Sequence, residues 1–182
     1  ADISSNVCTS IKKLMPKMIT EGNDDGPSFV KADQSIPEFI GDKSQLIQAF
    51  LNITKNALQA LSQQISEGED ANIILRTRTL RQFTIGHARH RLVLRVDVID
   101  NGPGIPKEFI QNIFYPMISG RADGTGLGLS ITQSIFTKHE GLVECESKPG
   151  ETDFIVYLPL QSATESSSAN HYPTTAFSRT SE

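Results

Sequence analysis

The chain has little cysteine, no excess of positive charge and no long apolar run. Its two cysteines among 182 residues, Cys8 and Cys145, lie far apart and share no metal-ligand spacing. They read as reduced thiols, which excludes a disulfide framework and a cysteine metal site. A formal net charge of −4 supplies no global positive field. Direct binding of nucleic acid or of an anionic membrane is therefore not expected. No stretch approaches the ~20 apolar residues of a membrane span, and the N-terminus lacks the pattern of a signal peptide. Together these absences predict a cytoplasmic chain. What is present is ordinary globular material, 37% hydrophobic and 21% charged, enough for a single core.

Apolar spacing at Val7, Ile11, Leu14, Met15 and Met18 predicts an amphipathic helix over Ser5 to Ile19, interrupted at Pro16. A short strand is expected at Ser28 to Lys31. A better-defined helix begins at a cap on Asp42 or Ser44 and runs to about Gln63. Leu46, Phe50, Ile53, Ala57 and Leu61 line one side of it, and Gln48, Asn52, Lys55, Asn56, Gln59 and Gln63 another. Two alternating strands follow, Ala71 to Leu80 and Arg91 to Asp100. The basic stretch Arg81 to His90 between them has the composition of a long hairpin loop. A helix is expected from Thr125 to Lys138, and strands at Leu142 to Glu146 and Thr152 to Leu158, joined by a turn at Lys148-Pro149-Gly150. Beyond Pro159 the chain turns rich in serine and threonine without apolar period. Residues 1–160 read as one domain and Gln161 to Glu182 as a disordered tail. Because strands adjoin through turns and not helical crossovers, the fold class is α+β, with helices on one face of a mixed, mostly antiparallel sheet.

Three features carry chemistry. Asp100 shares the parity of Leu92, Leu94, Val96 and Val98, so its carboxylate points towards the core, where it needs a donor. Gly102 and Gly104 follow and allow close approach; a ring amine would be a suitable donor, and a plain Asp-Asn-Gly turn cap is the alternative. Gly124-Thr-Gly-Leu-Gly-Leu129 opens a helix, where free N–H groups can hold an anion; a flexible hinge fits the same residues. Asn52 and Asn56, spaced i,i+4, lie on one helix face. Amide oxygens can ligate magnesium, although a solvated polar face reads the same way.

In this order, an asparagine helix, then D-x-G-x-G, then G-x-G-x-G, the motifs resemble the asparagine box and two glycine boxes of the GHKL superfamily of gyrase, heat-shock chaperone ATPases, histidine kinases and MutL. Phe114-Tyr-Pro-Met117 resembles the phenylalanine box, and Gly150 to Pro159 the last strand pair. The resemblance covers about Phe39 to Leu160. It implies a Bergerat-type two-layer sandwich binding ATP and Mg2+. Asp100 would accept from the adenine amino group, Gly102 and Gly104 would shape the base pocket, and Thr152 would reach the adenine side. Asn56 would ligate magnesium with Asn52 nearby. Gly124, Thr125, Gly126, Leu127 and Gly128 would serve the phosphates. Phe114 to Asp123, with Tyr115, would form a mobile lid.

Hydrolytic members carry a glutamate four residues before the magnesium asparagine, where this chain has Asn52. An amide cannot act as a general base, so phosphoryl transfer is favoured over hydrolysis. Lys55 and a lid cation, Arg121, could neutralise charge during transfer. The segment Asn52 to Leu61 and the lid Phe114 to Arg121 are similar to those of the nitrogen-regulation subgroup of sensor histidine kinases. That likeness implies a histidine-bearing dimerisation domain, an NtrC-type response regulator and a PII-type signal protein as partners. His87, His90, His139 and His171 all lack the His-Glu-x-x-Asn-Pro context of an acceptor. The chain is therefore expected to be a monomeric fragment that binds ATP without phosphorylating itself. An anti-sigma-type serine kinase and a regulatory ATP-binding module are the alternatives; a gyrase-like or MutL-like ATPase is opposed by Asn52.

Overall fold

A computed structural model describes residues 30–31 (backbone only), 41–68, 70–118 and 126–160. The expected helix at Ser5 to Ile19 and the tail from Gln161 lie outside the described residues. The chain order is β1 (Val30–Lys31), α1 (Lys43–Ala60), α2 (Ser62–Glu67), β2 (Ile73–Ile85), β3 (Ala88–Asp100), α3 (Lys107–Ile110), α4 (Gly128–Lys138), β4 (Leu142–Lys148) and β5 (Glu151–Pro159). The strands form one sheet in the order β1-β2-β3-β5-β4. β1 is parallel to β2 and every other pairing is antiparallel, as expected for a mixed, mostly antiparallel sheet.

Asp42 starts α1. Its Oδ1 accepts from the N–H groups of Ser44 and Gln45 at 2.9 and 3.1 Å, satisfying donors that the first turn leaves unpaired. Leu46, Ala49, Phe50, Ile53 and Ala57 then fall on one face and are buried, each large side chain contributing about 1.5–3 kcal/mol. The single helix expected to Gln63 is interrupted at Leu61, and a separate short helix follows, ending at Gly68 in the left-handed conformation (φ 73°). Leu61 is itself fully buried. α4 packs beside α1 through Phe50 and Phe136, edge to face with ring centroids 5.3 Å apart. Both helices lie over Leu94, Val96, Val98, Phe154, Val156 and Leu158 from the two central strands.

The expected hairpin loop Arg81 to His90 is instead strand. Register continues to Ile85 opposite Ala88, leaving only Gly86 and His87 in the turn. The reason lies on the sheet's far side, where Ile85, Val93, Ile155 and Tyr157 form a second cluster with Leu80 and Phe83. Phe83 stacks on Tyr157 at 4.8 Å. The apolar partner that holds this hairpin extended is thus on β5, invisible to any local pattern. Asp97 does point away from the helices, yet it is fully buried there. Arg95 Nε bonds its Oδ1 at 2.6 Å, Arg78 lies 3.8 Å from Oδ2, and the Arg95 guanidinium sits 5.7 Å above the Tyr157 ring.

Candidate functional site

β3 delivers Asp100 to the end of the helix-covered sheet face, where it is 2% exposed. Its Oδ1 accepts the N–H of Gly102 at 3.0 Å. Across the sheet Asp100 pairs with Thr152, and Thr152 pairs with Ser147. One rung therefore carries three oxygen-bearing side chains. Thr152 is buried, and its Oγ1 lies 3.0 Å from Ser147 Oγ. Ser147 Oγ in turn accepts the N–H of Ile105 at 2.8 Å. Gly104, at φ +84°, brings the turn against the β4–β5 hairpin so closely that a Cβ there would stand 2.5 Å from the Lys148 carbonyl oxygen. Cys145 lies half-buried on the neighbouring strand; burial, with a smaller contribution from Asp100, pushes its thiol up to about 12. It is therefore a packing group and not a thiolate nucleophile.

α1 connects the two ends of the site. Near its C-terminus, Ala60 and Leu61 contact the position of Gly102. Two turns earlier, Asn52 Nδ2 donates to the Gly128 carbonyl at 3.2 Å and lies 3.4 Å from Thr132 Oγ1. Because a carbonyl oxygen can only accept, the amide orientation is unambiguous. Thr132, fully buried, donates to the same carbonyl at 2.9 Å. Asn56 is half-buried on the turn between, and Lys55 is exposed. α4 begins at Gly128, with the apolar Leu127 in the capping position.

Met117 and Gly126 meet beside the stretch expected to form a lid. The Met117 N–H donates to the Gly126 carbonyl at 3.1 Å. Gly126, at φ +64°, lies so near that a Cβ would stand 2.6 Å from the Met117 carbonyl carbon. Phe114 anchors the entry, edge-on to Phe154 at 6.5 Å. Tyr115, Met117 and Leu127 are 61%, 83% and 42% exposed. Arg121, Gly124 and Thr125 lie outside the described residues.

Asn52 and Gly128 are thus bonded along α1 and α4, Asp100, Gly102 and Thr152 gather at the end of the central strands, Gly104 lies against the β4–β5 hairpin and Gly126 against Met117. Asn56 is half-buried, and Lys55 and Tyr115 are exposed. Sequence reasoning passed over Ser147, Thr132 and Asn101. Asn101 closes the pocket turn by accepting from the Asn72 N–H at 2.7 Å and donating to the Asp70 carbonyl at 2.9 Å. A hairpin register counted outward from Pro149-Gly150 would have placed Ser147 opposite Thr152; nothing local marks the other two. Among the described residues no group of three or more His, Cys, Asp or Glu side chains could hold a metal.

Residues 41–162 match the family described as histidine kinase-, DNA gyrase B- and HSP90-like ATPase. The sensory histidine kinase/phosphatase NtrB of Escherichia coli O157:H7 is 45% identical over 161 residues, covering 86% of this chain and 45% of that protein. NtrB of Vibrio alginolyticus is 50% identical over 128 residues, 70% of this chain and 35% of that protein. The chain thus spans less than half the length of these curated relatives. Among solved structures, the nucleotide-free catalytic domain of the histidine kinase ThkA superposes with a TM-score of 0.64 at 25% identity, covering 87% of this chain and 91% of that one. The chain therefore belongs to the histidine kinase-, DNA gyrase B- and HSP90-like ATPase family, as a catalytic domain of the histidine kinase type.

Proposed function

We propose that this domain binds ATP with Mg2+ and donates the γ-phosphate to a histidine on a dimerisation domain outside this chain, for relay to an NtrC-type response regulator under the control of a PII-type signal protein. The observation that carries the reading is the placement along α1. Its Asn52 bonds the start of α4, and its Ala60 stands 3.3 Å from where a Cβ on Gly102 would lie, a span of ~12 Å at 1.5 Å per residue. Asn56 stands between. Base recognition falls to Asp100, whose buried carboxylate suits an amino donor and repels a carbonyl. Phosphates suit the N-terminus of α4, where helix N–H groups point outward. Magnesium takes few protein ligands and shares the phosphate oxygens, so a single amide oxygen from Asn56 fits it; bound there, it would offset phosphate charge. Lys55 and Arg121 complete that neutralisation.

Transfer breaks the bond from the γ-phosphorus to its bridging oxygen and forms a phosphorus–nitrogen bond to imidazole, with ADP leaving. It needs positioning more than a base, which agrees with an amide at Asn52. His139 is not the acceptor, since both ring nitrogens are engaged, with Ile135 and Asp42. The reading includes a cytoplasmic location and a place in nitrogen regulation, on the resemblance of the Asn52 to Leu61 and Phe114 to Arg121 segments to that subgroup.

Binding of a fluorescent ATP analogue, with and without magnesium, tests the first half of this reading, on the parent and on Asp100→Asn. Tight, magnesium-dependent binding lost in the variant is expected. A histidine-bearing dimer fragment supplied in trans should then become labelled from γ-labelled ATP. Binding without transfer would leave an ATP-binding regulatory module, and label on serine would indicate a serine kinase.

A further inference from the structure

Ser147 lies outside the asparagine and glycine motifs, yet it joins the Asp100 end of the site at two points. Its Oγ accepts the Ile105 N–H at 2.8 Å, tying the Asp100 turn to the β4–β5 hairpin. The same oxygen lies 3.0 Å from Thr152 Oγ1 and 3.4 Å from the Glu151 carbonyl. Strand register sets Ser147, Thr152 and Asp100 side by side on one rung.

A serine hydroxyl has one proton to give. Of its two acceptors, Thr152 is the nearer, and O–H···O bonds weaken as they lengthen past about 3 Å. When Ser147 donates to Thr152 Oγ1, the Thr152 proton is not spent on Ser147 and is left for another acceptor, such as a ring nitrogen of a bound base. When Ser147 donates to Glu151 instead, Thr152 must donate to Ser147 and shows the pocket only lone pairs. The Ile105 N–H already occupies one acceptor site on Ser147, which favours the first arrangement.

We infer that Ser147 is a positioning residue for base recognition: it holds the Thr152 hydroxyl as a donor, so that the rung presents an acceptor at Asp100 and a donor at Thr152. The purine edge complementary to that pair has an exocyclic amine beside a ring-nitrogen acceptor, as adenine has at N6 and N1. A 6-oxo purine with a protonated N1 has the reverse pattern. The inference rests on the assignment of Asp100 to the adenine amine, and the test separates the two.

Affinities of ATP, purine riboside triphosphate (no 6-amino group) and 1-deaza-ATP (no N1 acceptor) are measured by displacement of a fluorescent ATP analogue from the chain. The parent should prefer ATP to each analogue by roughly five- to tenfold, the weight of one hydrogen bond. In Ser147→Ala the preference over 1-deaza-ATP should shrink towards one, while the preference over purine riboside triphosphate persists. Ser147→Thr should restore the first preference, and Thr152→Val should abolish it. Loss of affinity by one common factor for all three nucleotides in Ser147→Ala would overturn the proposal, since Ser147 would then only hold the turn. An unchanged 1-deaza ratio in Thr152→Val would overturn it as well. A parent indifferent to the 6-amino group would instead overturn the Asp100 assignment.

Discussion

Asn52 donates its side-chain amide to the carbonyl oxygen of Gly128, 3.2 Å away on another helix. The residue that stands where hydrolytic relatives place a glutamate is thus a brace between α1 and the start of α4. A carboxylate at this position would face the Gly128 carbonyl with no proton to offer. Asn52→Asp should therefore destabilise the fold by about 1–3 kcal/mol, the cost of losing a part-buried donor and opposing two acceptors. Urea denaturation of the two proteins would show it as a lower midpoint at unchanged slope. Equal midpoints would mean that the brace contributes nothing.

Gly104 and Gly150 have nearly the same backbone, φ +84° and +85°, but different surroundings. A Cβ at Gly150 meets nothing within 4 Å, whereas one at Gly104 would stand 2.5 Å from the Lys148 carbonyl oxygen. Gly150→Ala should cost only the left-handed backbone penalty, about 1–2 kcal/mol. Gly104→Ala should cost clearly more and also weaken ATP binding, because the pocket turn must move off the hairpin. Thermal unfolding and nucleotide titration of the pair would reveal whether contact or conformation dominates.

Asp153 faces the far side of the sheet with one oxygen, Oδ1, buried and lacking a hydrogen-bond partner among the described residues. Burial first, and then the Asp97 carboxylate, push its pKa up to about 6, against an opposing pull from Arg95. Arg76 and Arg78 from β2 and Glu144 and Glu146 from β4 belong to the same face. A raised pKa means that the folded chain holds this proton more tightly than the unfolded chain does. The contribution of Asp153 to stability is therefore complete below the ordinary carboxylate range and falls as pH rises to about 6. Asp153→Asn should flatten that decline and leave the variant the more stable protein at neutral pH. A pH series of unfolding midpoints would contradict this if parent and variant ran parallel.

His139 joins the C-terminus of α4 to the N-terminus of α1. Its Nε2 accepts the backbone N–H of Asp42 at 3.0 Å, and its Nδ1 lies 2.8 Å from the Ile135 carbonyl. An amide N–H can only donate and a carbonyl can only accept, so this pair of bonds calls for the tautomer that carries its proton on Nδ1. Nitrogen-15 NMR of the imidazole should show this Nδ1–H tautomer, less common in free histidine. An Nε2–H signature would break the assignment of both bonds.

Much of this architecture was legible locally. The cap at Asp42, the buried stripe of α1 and the inward parity of Asp100 follow from side-chain periods that each segment carries within itself. The interruption at Leu61 and the extended β2–β3 hairpin were not legible, and for the hairpin a partner far along the chain decides it. Phe83 reads as a lone aromatic in a basic stretch until Tyr157 is stacked against it. Ser147 reads as the end of a strand until register sets it beside Thr152.

The sequence by itself determined the order of the asparagine and glycine motifs and the family they belong to, since these are properties of residue identity and spacing. Only the tertiary structure decided that Asn52 braces the glycine helix, that Asp97 is buried on the far face and that Asp100, Thr152 and Ser147 share a rung. Those relations depend on strand register and helix packing, which are set by the burial of surfaces from distant segments against one another and by no segment alone.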